Sequence, residues 1–277
     1  MFLGAITFHE SIFALPFAYI GMVLAADGLP TWHQFAWITV AMVSARTVGM
    51  SANRIIDRHI DARNPRSAGR HLPSGRLKVG ELAAFALASL GILIFAAAQL
   101  NTLALALAPV AVAYLVLYPY AKRFTWTANL LLGWALAISP SAAWIGVTGR
   151  LQWEPVLLSL SVALWAGSFD ILYHTQDYDF HRREGFHSVA RRFGIAGAFR
   201  WARALDALAI TSMLSLGLWM ELAFPYFLGL AVATGLLVYK HRLVSPTDLS
   251  QLDRAFGRIN AYVSTTMLAA TLAALFV

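Results

Sequence analysis

The sequence predicts an all-α, polytopic membrane protein, and three observations carry that expectation. Of the 277 residues, 59% are hydrophobic and only 13% are charged, whereas soluble domains carry about 25% charged residues. Mean hydropathy is +0.63. The apolar residues gather into stretches near the roughly 20 needed to cross a bilayer, with the polar residues collected between them. Too little polar surface is left to cover a water-soluble globule, and a bilayer removes that demand.

About nine such stretches can be read along the chain: 12–26, 35–56, 82–100, 103–118, 128–147, 156–176, 199–218, 222–239 and 255–276. The third and fourth meet at 99–102, which predicts a tight helical hairpin. No soluble domain, low-complexity segment or linker interrupts the pattern, so 1–277 reads as a single transmembrane domain. The first stretch follows His9 and Glu10 rather than a basic region and lacks a small-residue cleavage site, so no cleavable signal peptide is expected. There are no cysteines, which excludes disulfides, cysteine zinc sites and thiol chemistry.

The net charge is +7 with a pI near 10.0. On a soluble protein that would raise nucleic acid as a partner; here the bases have a simpler destination, and no nucleic acid is expected. All of the 21 lysines and arginines except Arg46 and Arg150 fall in or beside the loops after the second, fourth, sixth and eighth stretches. The positive-inside rule places those loops in the cytoplasm, with the N-terminus inside and the C-terminus outside.

Acidic residues are scarce, 14 in all, and two clusters stand out on the same expected side of the membrane. The first is Asn53, Asp57 and Asp61 at the end of the second stretch. A helix of 3.6 residues per turn brings positions four apart back to nearly one face. Oxygen ligands in a row suit a hard cation such as Mg²⁺, which keeps several waters and shares substrate phosphates. The second cluster is Asp170, Asp177 and Asp179, with His181 and Glu184 close behind, at the end of the sixth stretch. Two clusters facing each other could hold two metal ions around one diphosphate. The bland alternative is helix-end salt bridges to local arginines. Carboxylates near membrane depth are costly, and a duplicated set on one side favours function.

These residues resemble the signatures of the UbiA superfamily of intramembrane prenyltransferases. Asn53-x₃-Asp57-x₃-Asp61 is similar to its first motif. Asn64-Pro65-Arg66 through Arg70, Pro73, Gly75 and Arg76 resembles its basic Leu-Pro-Ser-Gly segment. Tyr118-Pro119-Tyr120-Ala121-Lys122-Arg123 is similar to its Tyr-Pro-x-x-Lys-Arg loop, and Asp170, Asp177, Gly185 and Ser188 sit at the spacings of its second motif. Phe13-Ala-Leu-Pro16-Phe is familiar from the same group. The match runs through the first seven stretches. It implies nine helices around a central cavity open to the cytoplasmic side, and transfer of a polyprenyl group from a polyprenyl diphosphate to an acceptor. The details resemble most the 4-hydroxybenzoate polyprenyltransferases and their relatives acting on naphthoates, in the ubiquinone and menaquinone pathways, which implies a bacterial inner membrane. One departure stands out: His181 occupies a position where the family's second motif usually has an acid.

On this reading Mg²⁺ is expected on Asn53, Asp57 and Asp61, and on Asp177 with Asp179 or Asp170. Lys122 and Arg123, with Arg66 and Arg70, would stabilise the diphosphate leaving group. Tyr118 and Tyr173 would flank the prenyl cation. Asp170 or Asp177 would take the ring proton, and Arg46, alone inside its helix, would bind the carboxylate of an aromatic acid. His174 and His187 are expected as polar packing or phosphate contacts. Other acceptors remain open: 1,4-dihydroxy-6-naphthoate, haem or chlorophyllide. So do two other classes, a transporter of anionic lipids and, because of His181, a non-catalytic relative. A transporter would be expected to alternate access, which two acidic motifs on one side do not suggest.

Overall fold

In the computed structural model, which describes residues 2–7 and 11–277, each predicted apolar stretch falls on a helix. The longer helices are α1 (Ser11–Ala25), α2 (Trp32–Arg63), α3 (Val79–Leu100), α4 (Thr102–Leu117), α5 (Ala128–Thr148), α6 (Glu154–Tyr173), α7 (Val189–Trp219), α8 (Phe224–Leu243) and α9 (Asn260–Ala274). Helices α2 to α6 are long and apolar enough to cross a membrane, and α1 is apolar but shorter. No strand occurs among the described residues.

Three boundaries differ from the sequence reading, each at the end that builds the site. Helix α2 continues past residue 56 to Arg63, because its polar residues line an internal cavity and hydropathy alone stops too early. It ends where Asn64 precedes Pro65 and takes an extended conformation, as residues before proline do. Helix α6 gives way after Tyr173 to a 3₁₀ turn, His174–Asp177, and a short helix, Tyr178–Glu184. Gly185, at φ 82°, closes that helix in the left-handed region that glycine adopts freely. Helix α9 is preceded by a π-helical turn, Ala255–Ile259.

The core surrounds α6. In lipid, apolar burial between helices gains little, and close packing through small residues does the work instead. Helix α5 approaches α6 at Gly133, where a Cβ would lie 2.2 Å from the Ala163 carbonyl oxygen. Helix α1 crosses α5 at Gly21, where a Cβ would stand 2.4 Å from the Pro140 oxygen. Aromatic pairs fill the space between α1 and α6: Phe17 with Trp165 at 5.1 Å and Phe13 with Phe169 at 5.7 Å. The predicted hairpin is present. Asn101 closes α3 and caps α4 by accepting from Ala104 N at 2.9 Å, and its amide donates to Ile145 O on α5 at 2.8 Å.

Candidate functional site

The cavity has a volume of about 490 Å³. Its wall is built from the C-terminal turns of α2, the loop after it, the turn Tyr118–Arg123, the end of α6 with its following turns, and Phe256. Polar side chains dominate this end, while Phe13, Leu132, Leu136 and Phe169 line deeper apolar surface.

The row on α2 is intact. Asn53, Asp57 and Asp61 all line the cavity, and the two carboxylates are buried. Pro119 starts the 3₁₀ turn that follows α4; a first turn has no use for its missing N–H. That turn delivers Lys122, whose Nζ donates to Asp57 Oδ2 at 2.5 Å. Arg70 donates to Asp61 Oδ1 at 2.7 Å. The other oxygens, Asp57 Oδ1 and Asp61 Oδ2, are buried and accept no hydrogen bond. A buried carboxylate oxygen without a donor is costly. Asn53 completes the row by donating to the Tyr118 hydroxyl at 3.4 Å.

The loop after α2 shapes the opposite wall. Asn64 Oδ1 accepts from Arg66 N at 3.1 Å, and its amide donates to Asp177 Oδ1 at 2.8 Å. Arg66 then clasps Asp177 with both edges of its guanidinium, Nε to Oδ1 at 2.9 Å and Nη2 to Oδ2 at 2.5 Å. Such a fork holds planar geometry as well as charge. Burial works against the charge on Arg66, but its bond to Asp177 outweighs that, so the group stays cationic with a raised pKa. The same guanidinium lies 4.7 Å from the Tyr173 ring, and that ring stacks on Phe256 at 4.2 Å.

A model of the UbiA prenyltransferase family matches residues 14–266, nearly the whole chain. The chain belongs to that family. It is an integral membrane prenyltransferase. The 4-hydroxybenzoate octaprenyltransferase of Aeromonas salmonicida is 32% identical over 239 residues, covering 84% of this chain and 80% of the relative. That of Photobacterium profundum is 31% identical over 244 residues, with 85% and 82% covered. The apo structure of a UbiA homolog from Aeropyrum pernix K1 superposes with a TM-score of 0.87 at 29% identity, covering 95% of this chain and 96% of that one. A UbiA homolog from Archaeoglobus fulgidus bound to DMAPP and Mg²⁺ shares the fold at 17% identity and a TM-score of 0.66, over 96% of this chain and 98% of its own.

Within this family fold, the cavity gathers Arg46, Asn53, Asp57, Asp61, Arg66, Arg70, Tyr118, Lys122, Asp170, Tyr173 and Asp177. Two expected residues stand elsewhere. Asp179 is exposed and off the cavity wall, because the short helix Tyr178–Glu184 turns it to the outside. It does not stand in for the acid that His181 replaces. Arg123 also lies off the wall; it donates to Ile56 O at 3.1 Å and sits 3.8 Å from Asp57 Oδ1. It braces the carboxylate from behind instead of facing the cavity.

Among the described residues, no three His, Asp or Glu side chains converge closely enough to hold a metal ion alone. The residues on α2 nonetheless fit Mg²⁺: two buried carboxylate oxygens free of donors, one helical turn apart, in a cavity whose substrate oxygens and waters can complete a hard-cation shell.

Several members of the site were not read from the sequence. Asn129 on α5 donates to Asp170 Oδ2 at 2.7 Å, beside His174, expected as polar packing, whose Nδ1 lies 3.2 Å from Asp170 Oδ1. An asparagine opening an otherwise apolar helix was the available signal. Phe256 carried none. A separate buried cluster joins α7 to α8 away from the cavity: Asp206 Oδ2 meets Lys240 Nζ at 2.6 Å and His241 Nε2 at 2.7 Å.

Proposed function

We propose that this protein transfers a polyprenyl group from a polyprenyl diphosphate to 4-hydroxybenzoate, in a single domain of nine spans whose cavity faces the cytoplasmic side of a bacterial inner membrane. The observation that carries the reading is the pair of donor-free oxygens on Asp57 and Asp61, set among Lys122, Arg66 and Arg70 on one cavity wall. The 4-hydroxybenzoate octaprenyltransferases among its relatives support the acceptor. The Archaeoglobus homolog with DMAPP and Mg²⁺ supports the donor and the cation.

Asp57 and Asp61, with Asn53 beside them, would hold Mg²⁺, which when bound would supply positive charge to the diphosphate. Lys122, Arg66 and Arg70 take up the negative charge that grows as the allylic C–O bond breaks and the diphosphate leaves with the electron pair. Tyr173, stacked on Phe256 and lying under the Arg66 guanidinium, lines the wall beside which the allylic cation forms. Arg46 directs its guanidinium to the carboxylate of the acceptor, so the ring carbon next to the phenol attacks the cation and a C–C bond forms. The ring proton passes to Asp170. Asp177 is committed to Arg66 and is the weaker base; Asp170 is held on Asn129 and backed by His174.

The test is prenyl transfer in membranes with labelled 4-hydroxybenzoate and a polyprenyl diphosphate, with Mg²⁺ and with EDTA. Labelled lipid formed only with Mg²⁺ is expected. Labelled lipid from 1,4-dihydroxy-6-naphthoate but none from 4-hydroxybenzoate would overturn the acceptor. Product undiminished in EDTA would overturn the cation.

A further inference from the structure

The sequence led us to expect two metal ions, one on each acidic cluster. The structure assigns them unequally: we infer that the diphosphate is held by one divalent cation on α2, with Arg66 occupying the place of a second. This rests on the prenyl-diphosphate reading of the cavity and deepens it.

The asymmetry is in the oxygens. On α2, Asp57 and Asp61 each use one oxygen on a hydrogen-bonded protein cation and keep the other buried with no hydrogen bond, although Arg123 stands 3.8 Å from Asp57 Oδ1. After α6, Asp177 has no such oxygen. Its Oδ1 accepts from Asn64 and from Arg66 Nε, and its Oδ2 accepts from Arg66 Nη2. A metal at Asp177 would have to share oxygens that already accept from Arg66 and would set a second cation beside a half-buried guanidinium. The neighbours that could help do not. Asp179 is exposed. His181, where an acid would be wanted, is buried, with Nδ1 3.3 Å from Ser188 Oγ and its ring stacked 5.8 Å from His174. An imidazole brings no negative charge to attract Mg²⁺, which prefers oxygen ligands. Arg66 itself is fixed on three sides, by Asp177, by its backbone bond to Asn64 and by the Tyr173 ring. It is a guanidinium in place before substrate arrives, the geometry suited to phosphate oxygens.

The experiment counts metal instead of product. The full-length protein in nanodiscs is titrated with Mn²⁺ in the presence of a prenyl thiolodiphosphate, whose C–S bond resists cleavage, with free Mn²⁺ read by electron paramagnetic resonance. One Mn²⁺ per chain is expected, retained in Asp177→Asn and lost in Asp57→Ala. Two Mn²⁺ per wild-type chain, especially with a spin-coupled signal, would overturn the inference while leaving prenyl-diphosphate binding intact. Loss of Mn²⁺ binding in folded Asp177→Asn would also overturn it. Failure of the wild type to bind either Mn²⁺ or the analogue would overturn the functional reading with it. His181→Asp adds a separate check, since restoring the acid is expected to raise the count above one; an unchanged count there would overturn the part assigned to His181 in excluding the second ion.

Discussion

The acidic residues at the end of α2 and those after α6 border one cavity but use their oxygens differently. On α2 each carboxylate gives one oxygen to a close hydrogen-bonded cation and keeps the other buried with no hydrogen bond, Arg123 standing 3.8 Å from that of Asp57. After α6, both oxygens of Asp177 already accept, from a bidentate arginine and an asparagine. A buried carboxylate oxygen without a donor is suited to take a ligand; one held in a fork is suited to position its partner. On the proposed reading two similar sequence motifs do different work, and the difference lies in residues far away in the chain.

The largest effect is expected from Asp57→Ala. It removes a cation ligand and the partner of Lys122, and prenyl transfer should fall by about 10³-fold or more, while size-exclusion and circular dichroism in detergent show a folded protein. Full activity in that variant would break the comparison outright. Lys122→Met removes a charge facing the leaving group, and kcat should drop by about 10²-fold. Asp177→Asn keeps the shape of the side chain and weakens only the hold on Arg66, so a loss of roughly tenfold is expected, on the scale of one lost charge-assisted hydrogen bond. If Asp177→Asn is as damaging as Asp57→Ala, the two clusters are equivalent after all. The smallest effect belongs to Asp179→Asn: the residue is exposed and away from the cavity, and activity should change less than about twofold, in keeping with surface substitutions generally.

Much of the fold was legible, because helix in lipid is written in long apolar runs that one residue seldom disguises. The ends were not, and they are where the site lies. Hydropathy stopped the second helix at 56, although the polar turn carrying Asp57 and Asp61 continues to Arg63 behind a cavity wall. The row Asn53, Asp57, Asp61 could be read since helical period is local. The partnership of Asp177 with Arg66 and Asn64 spans more than a hundred residues and has no local signature. Asp179 and Asp177 are two apart and look alike in sequence; only the direction of the short helix after α6 separates an exposed carboxylate from a buried one. Arg123 shows the same limit beside Lys122. The cluster of Asp206 with Lys240 and His241 passed as topogenic charge because its acid lies on another helix.

The most direct test of the division between the clusters is to locate the ion. A crystal or cryo-electron-microscopy structure of the protein with Mn²⁺ and a prenyl thiolodiphosphate would place it, with anomalous scattering to identify the metal in crystals. One Mn²⁺ is expected against the free oxygens of Asp57 and Asp61, with the Arg66–Asp177 fork still closed and Arg66 turned to the diphosphate. A metal seated on Asp177, with Arg66 displaced, would contradict it.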